Sequence, residues 1–169
     1  TSGVMGAPSA STITYAAGSF SLSVGDFSGP LLLRMTGGSY VDEATGSTMP
    51  MLSGDMMEAC LPSVAAGAGA TGIQITPLTS MACARASGMS GGMTPGNVTN
   101  ANSGICSYFS VSDILHVVPM NPLAAGSGAG ATQDARNYGM AIAAMSQYAK
   151  TVGMTGSSSG MVTAMMDDA

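Results

Sequence analysis

The chain has 169 residues, of which 46% are hydrophobic, enough for one domain with a packed interior. Only 8% are charged, the net charge is −5, and the cations are Arg34, Arg85, Arg136 and Lys150. Four scattered cations cannot displace counterions from a phosphate backbone, which argues against nucleic acid as a partner, and no run approaches the roughly 20 apolar residues of a membrane helix.

Low charge with 24 glycines is not the signature of disorder, which pairs low hydrophobicity with high charge. It fits a surface covered by neighbouring molecules, because sparse charge weakens the repulsion between copies. A Ser/Thr-rich exposed extracellular surface fits equally well, and both readings stay open here. The chain opens at Thr1 without Met or leader, which reads as a mature or excised part of an exported precursor.

In chain order, Thr12–Ala16 is a short alternating run. Ser19–Val24 alternates cleanly, with Phe20, Leu22 and Val24 on one face and three serines on the other. Both read as strands. Leu31–Met35 is a continuous apolar run suited to a central strand, ended by Gly37-Gly38. Ser39–Val41 and Thr48–Met51 flank Asp42-Glu43-Ala44-Thr45-Gly46, a hairpin turn with Gly46 at a positive-φ position. A Gly/Ala link, Ala65–Gly72, leads to a last short strand at Ile73–Ile75.

Thr76-Pro77 then announces a helix, because the hydroxyl caps free amides and proline fits the first helical position. That helix runs to about Ala86. Gly88–Gly96 reads as a flexible link. Asn97–Phe109 is a second helix with Val98, Ala101, Ile105 and Phe109 in one stripe. Ser112-Asp113 opens a short turn carrying Ile114, Leu115, Val117 and Val118. Thr132–Thr151 is the strongest helix, with Tyr138, Ala141, Ile142, Met145 and Ala149 on its apolar face and Gly153 beyond its end. A terminal helix spans about Met161–Met166. The fold class is α+β: a small antiparallel, sandwich-like β-rich part over 1–75, then a helical part over 76–169 packed against it.

Candidate chemistry is thin. Cys60, Cys83 and Cys106 are evenly spaced, with no CxxC, haem-attachment or zinc spacing. In an oxidising compartment one pair can bridge, and Cys83 with Cys106 is the favoured pair because both fall on adjacent predicted helices; three buried thiols are the alternative. His116 is the single histidine, with Asp113 three residues earlier, but no GxSxG elbow accompanies it. Asp42-Glu43 and Asp167-Asp168 are the paired acids; the first pair can ligate calcium with turn carbonyls, though no EF-hand loop is present. Sixteen methionines include Met49/Met51, Met56/Met57, Met89/Met93 and Met165/Met166. Thioethers bind Cu(I), but a Met-based copper site usually combines Met with His, and methionine also fills irregular cores and adaptable interfaces. Asn97-Val98-Thr99 matches a glycosylation sequon by pattern only. No cofactor, metal site or catalytic residue is expected.

Four segments in order, Gly18–Leu22, Gly37–Gly46, Ile75–Thr79 and Ala143–Ala149, resemble a recurring type of bacterial exported protein or lipoprotein, in which a carboxypeptidase-regulatory-like β-sandwich precedes a helical region. The resemblance implies placement at the cell envelope or outside the cell, and no established catalytic residues. Relatives of that type begin with a further strand pair, whereas only Thr1–Ala10 precedes the first run here, and they tend to continue beyond Asp167-Asp168-Ala169. A sandwich short of a strand exposes unpaired backbone groups, which a neighbouring copy can fill. The expectation is a secreted, non-catalytic subunit of an extracellular or cell-surface filament, with self as partner and Ile13, Tyr15, Met161 and Met165 as interface candidates. Alternatives are a Met-rich periplasmic Cu(I) binder, a stand-alone envelope lipoprotein domain, or Thr1–Ala10 supplying the missing strand within its own chain.

Overall fold

A computed structural model describes residues 9–154 and 158–167. The fold is α+β, with strands mostly before helices. Strand β1, Gly29–Thr36, pairs antiparallel with β4, Met56–Val64; between them β2, Ser39–Val41, pairs with β3, Thr48–Pro50. Four helices follow: α1 Pro77–Gly88, α2 Pro95–Phe109, α3 Gln133–Thr151 and α4 Ser158–Asp167. No described helix is long and apolar enough to cross a membrane.

The helix starts follow local chemistry. Thr76 and Thr79 form a reciprocal capping box in front of Pro77, and Thr132 caps α3 through the amide of Ala135. Helix α2 begins two residues before the expected Asn97, because Thr94 caps it and Pro95 takes the first turn. The β2–β3 hairpin lies where the turn residues put it, with Gly46 at φ 68°. That left-handed conformation costs a residue with a Cβ and costs glycine little.

The strand assignments need correction. Thr12–Ala16, Ser19–Val24 and Ile73–Ile75 form no ladder. Serines 19, 21 and 23 are exposed while Phe20, Leu22 and Val24 are half-buried, so the alternation correctly reports facing but not pairing. Ile73 and Ile75 also pack inward, and Gln74 N–H donates to the Leu115 carbonyl at 2.8 Å. Strand β4, in contrast, carries no period-2 signature. Glu58, Ala59, Cys60 and Leu61 are all buried in succession because both faces of the strand are covered.

Those two faces belong to different core clusters. Ala59 and Leu61 join Leu33 and Leu115 on one side, with Phe20, Leu22, Ile73 and Ile75 against them. Cys60 joins Cys83, Ala86, Val98 and Ala101 on the other, with Leu32, Met89 and Met93. A third cluster joins the helices: Leu78, Ala82, Ile105, Val111, Ile114 and Tyr138. Tyr138 is wholly buried, yet its hydroxyl is satisfied by Thr76 Oγ1 at 2.6 Å and by the Ile114 carbonyl at 2.9 Å.

Candidate functional site

The expected Cys83–Cys106 bridge is replaced by Cys60–Cys83, which joins β4 to α1. Cys83 turns toward β4, whereas Cys106 packs against the helical cluster and remains a free thiol. With β4 unrecognised, Cys60 had no element to place it beside Cys83. Burial pushes the Cys106 thiol up, reinforced by Asp113 and Asp134, so it keeps its proton and is a poor nucleophile. It lines a serine-rich hollow with Ser103, Ser107 and Ser110, where Ser112 Oγ donates to Asp134.

His116 holds Asp113 through Nδ1 at 2.7 Å on an exposed turn. The other Asp113 oxygen accepts from the amides of Leu115 and His116, so the pair acts as a local cap. Among the described residues no serine, threonine or cysteine side chain hydrogen-bonds the ring.

The Asp42-Glu43 turn docks on α3. Buried Asp42 accepts from Ser146 Oγ at 2.5 Å and from Thr45 Oγ1 at 2.7 Å, and the Ala44 amide donates to Ser146 Oγ at 3.1 Å. Lys150 Nζ donates to the Ala44 carbonyl. No cluster of three His, Cys, Asp or Glu side chains suited to a metal occurs among the described residues. Glu43 borders an open hollow of about 680 Å³ with Val41, Leu123 and Ile142.

Burial raises the Glu43 pKa above 4.5, and the neighbouring Asp42 charge adds to the shift. A carboxyl with a raised folded-state pKa binds its proton more tightly in the folded chain. It therefore favours the fold at low pH, and that contribution is lost as pH rises through the raised value. Glu43→Gln is expected to gain stability relative to the parent as pH rises from 4.5 toward neutrality. Thermal melts of both proteins across that range check it; parallel curves would contradict the shift.

The feature that separates this ladder from an ordinary hairpin is the unequal treatment of its two edges. On the β4 side, helix side chains take the place of a third strand. Glu58 N–H donates to Ser80 Oγ at 2.8 Å, and Thr79 Oγ1 donates to the Glu58 carbonyl at 2.7 Å. Asn102 Nδ2 donates to the Cys60 carbonyl at 3.1 Å, and Met56 N–H donates to Thr163 Oγ1 at 3.2 Å. The backbone groups of Met56, Glu58 and Cys60 thus point away from β1. Their cross-strand neighbours Thr36, Arg34 and Leu32 must, by antiparallel geometry, point theirs away from β4.

That outer side of β1 is treated differently. Among the described residues no hydrogen bond reaches the outward backbone groups of Leu32 or Thr36. Arg34 is held through its side chain, at 2.6 Å from Glu58 Oε1. Outward backbone groups without a partner, as at Leu32 and Thr36, can template another strand.

The four interface candidates divide. Ile13 is 85% exposed and Tyr15 67% exposed, beside a tight turn in which Tyr15 N–H donates to the Ser19 carbonyl. Met165 is half-buried, and Met161, only 9% exposed, faces the chain's own interior, because α4 packs its inner side on α1 and β4. For Thr1–Ala10 as an internal strand, residues 1–8 lie outside the described residues. The edge-sealing side chains escaped the sequence reading, although Thr79 and Ser80 left one trace: polar groups on the inward side of a short helix. Compared with protein-family models, curated proteins and solved structures, the chain finds no match.

Proposed function

We propose that this chain is a non-catalytic structural subunit that assembles head to tail with other copies of itself, outside the cell. The observation that carries this reading is the asymmetry of the ladder: the β4 edge is sealed by Ser80, Thr79, Asn102 and Thr163, while Leu32 and Thr36 present backbone groups without a partner among the described residues. A contact in which a different segment of a neighbouring copy meets this strand is heterologous, and it builds a filament where its rotation does not close a ring.

Three further features support it. A chain in which only 8% of residues are charged offers little repulsion between copies. The Cys60–Cys83 bridge fits an oxidising compartment, in keeping with the resemblance to exported bacterial envelope proteins. Many of the methionines serve packing: Met81 and Met145 against the helical cluster, Met89 and Met93 against the disulfide cluster, and Met35 opposite Met57 across the ladder. That distribution favours core filling over a copper site. Strands added to β1 would extend the short ladder into a fuller, sandwich-like layer.

Sedimentation velocity over a range of concentrations, with negative-stain microscopy, tests the reading. The expected result is mass that grows with concentration and fibres on the grid. A single species at the 16.6 kDa of one chain at every concentration would end it.

A further inference from the structure

We infer that the hollow between the β2–β3 turn, the 119–124 segment and α3 binds a small organic cation, an amine on an apolar body, through the Glu43 carboxylate. The inference goes beyond the assembly reading and does not rest on it.

Both walls of the hollow are fixed on α3 without a ligand. The turn is held by Ser146, which donates to Asp42, and by Lys150, which donates to the Ala44 carbonyl. The opposite segment is held by the Met120 amide on the Ala135 carbonyl. It rests directly on Gly139, where the helix has no side chain to keep it away. The space between the walls, about 680 Å³, falls within the about 300–1,000 Å³ of small-molecule sites.

The lining selects the ligand. Val41, Pro119, Pro122, Leu123 and Ile142 make it largely apolar, and Val41 and Leu123 are 50% and 43% exposed, so a hydrocarbon body has surface to cover. Among the described residues, Glu43 is the one charged side chain in that lining. Residues 119–124 carry no charge, Asp42 is turned to Ser146 and Thr45, and Lys150 lies on the Ala44 carbonyl outside the hollow. Ser146 gives Glu43 a hydrogen bond but no counter-charge, and burial with the Asp42 charge raises its pKa for that reason. An ammonium group supplies the missing charge. An anion would meet two carboxylates, and a hard metal ion needs several oxygen ligands where the lining offers one carboxylate.

Phenethylamine is the probe and uncharged phenethyl alcohol its control, with affinities for the full chain read by ligand-observed NMR titration. Near neutral pH the amine is expected to bind about tenfold more tightly than the alcohol, the scale of a hydrogen bond to a charged group. From pH 4.5 toward neutrality the amine's affinity should rise as Glu43 ionises, because the amine keeps its own charge throughout, while the alcohol's stays level. Glu43→Gln should bring the amine down to the alcohol's affinity and remove the pH dependence, with a melting temperature at neutral pH no lower than the parent's. Leu123→Lys, at an exposed position, should repel the amine to a similar degree and spare the alcohol.

Equal affinities for amine and alcohol on the parent chain would overturn the cation assignment, whatever the variants do. Full amine affinity in both variants would overturn the site. Whether the parent forms fibres bears on the assembly reading alone.

Discussion

Reducing the Cys60–Cys83 bridge is expected to lower stability by about 3 kcal/mol, the loop-closure value for two cysteines 23 residues apart. For a chain of this size that corresponds to a fall in melting temperature of about 10 °C. The bridge constrains the unfolded chain, holding the middle of β4 close to α1 before either has packed. The measurement is cleanest in a Cys106→Ser background, which removes the free thiol and so prevents reshuffling. Replacing both bridged cysteines with alanine should cost more than reduction, because both sulfurs are buried among Ala86, Val98 and Ala101 and their removal leaves a void. Equal melting temperatures with and without reductant would show that this cross-link adds nothing to the fold.

An equally large loss is expected from adding one methyl group at Gly139. Helix α3 crosses the 119–122 segment there so closely that a Cβ would lie 2.1 Å from the Met120 carbonyl oxygen and 3.0 Å from its carbon. These are backbone atoms, which cannot rotate away. The Met120 amide also donates to the Ala135 carbonyl at 2.8 Å, tying the same segment to the preceding turn of α3. Gly139→Ala must therefore separate helix and segment, loosening buried Tyr138 beside them, at a cost of about 3 kcal/mol, the upper part of the range for overpacking. Gly130→Ala is the control: a Cβ there meets nothing within 4 Å, so it is expected to be neutral or slightly stabilising. Urea denaturation of the two variants checks the contrast, and equal midpoints would refute it.

Legibility in the sequence differed by element, and the reason is the distance over which each signal acts. Thr76-Pro77 and Thr132 mark helix starts through contacts three residues away, so the caps can be read without the fold. The Asp42–Gly46 turn is legible for the same reason. In Ser19–Val24 the alternation identifies the wet side and the dry side correctly. It says nothing of whether the backbone has a partner, and here it has no ladder. Strand β4 is the converse case: fully paired with β1, yet covered on both faces and so without a period.

The candidate edge was legible only in outline. The resemblance is what leads to the expectation of a missing strand, and of the interface candidates Ile13 and Tyr15 are exposed. Which edge is bare depends on where Ser80, Asn102 and Thr163 fall, and these lie 22, 42 and 107 residues from the backbone groups they satisfy. Met161 shows the same limit, since an apolar residue on a terminal helix is equally suited to a partner or to its own core.

By itself, then, the sequence determined the helices, the hairpin turn and the scarcity of charge, because caps, periodicity and composition are properties of neighbouring residues. Tertiary structure alone decided that Cys60 bonds Cys83, that Gly139 admits no side chain, and that the outward backbone groups of Glu58 and Cys60 in β4 are met by helix side chains. Each of those depends on which distant segments meet, and that is set by the joint packing of three core clusters, not by any local preference.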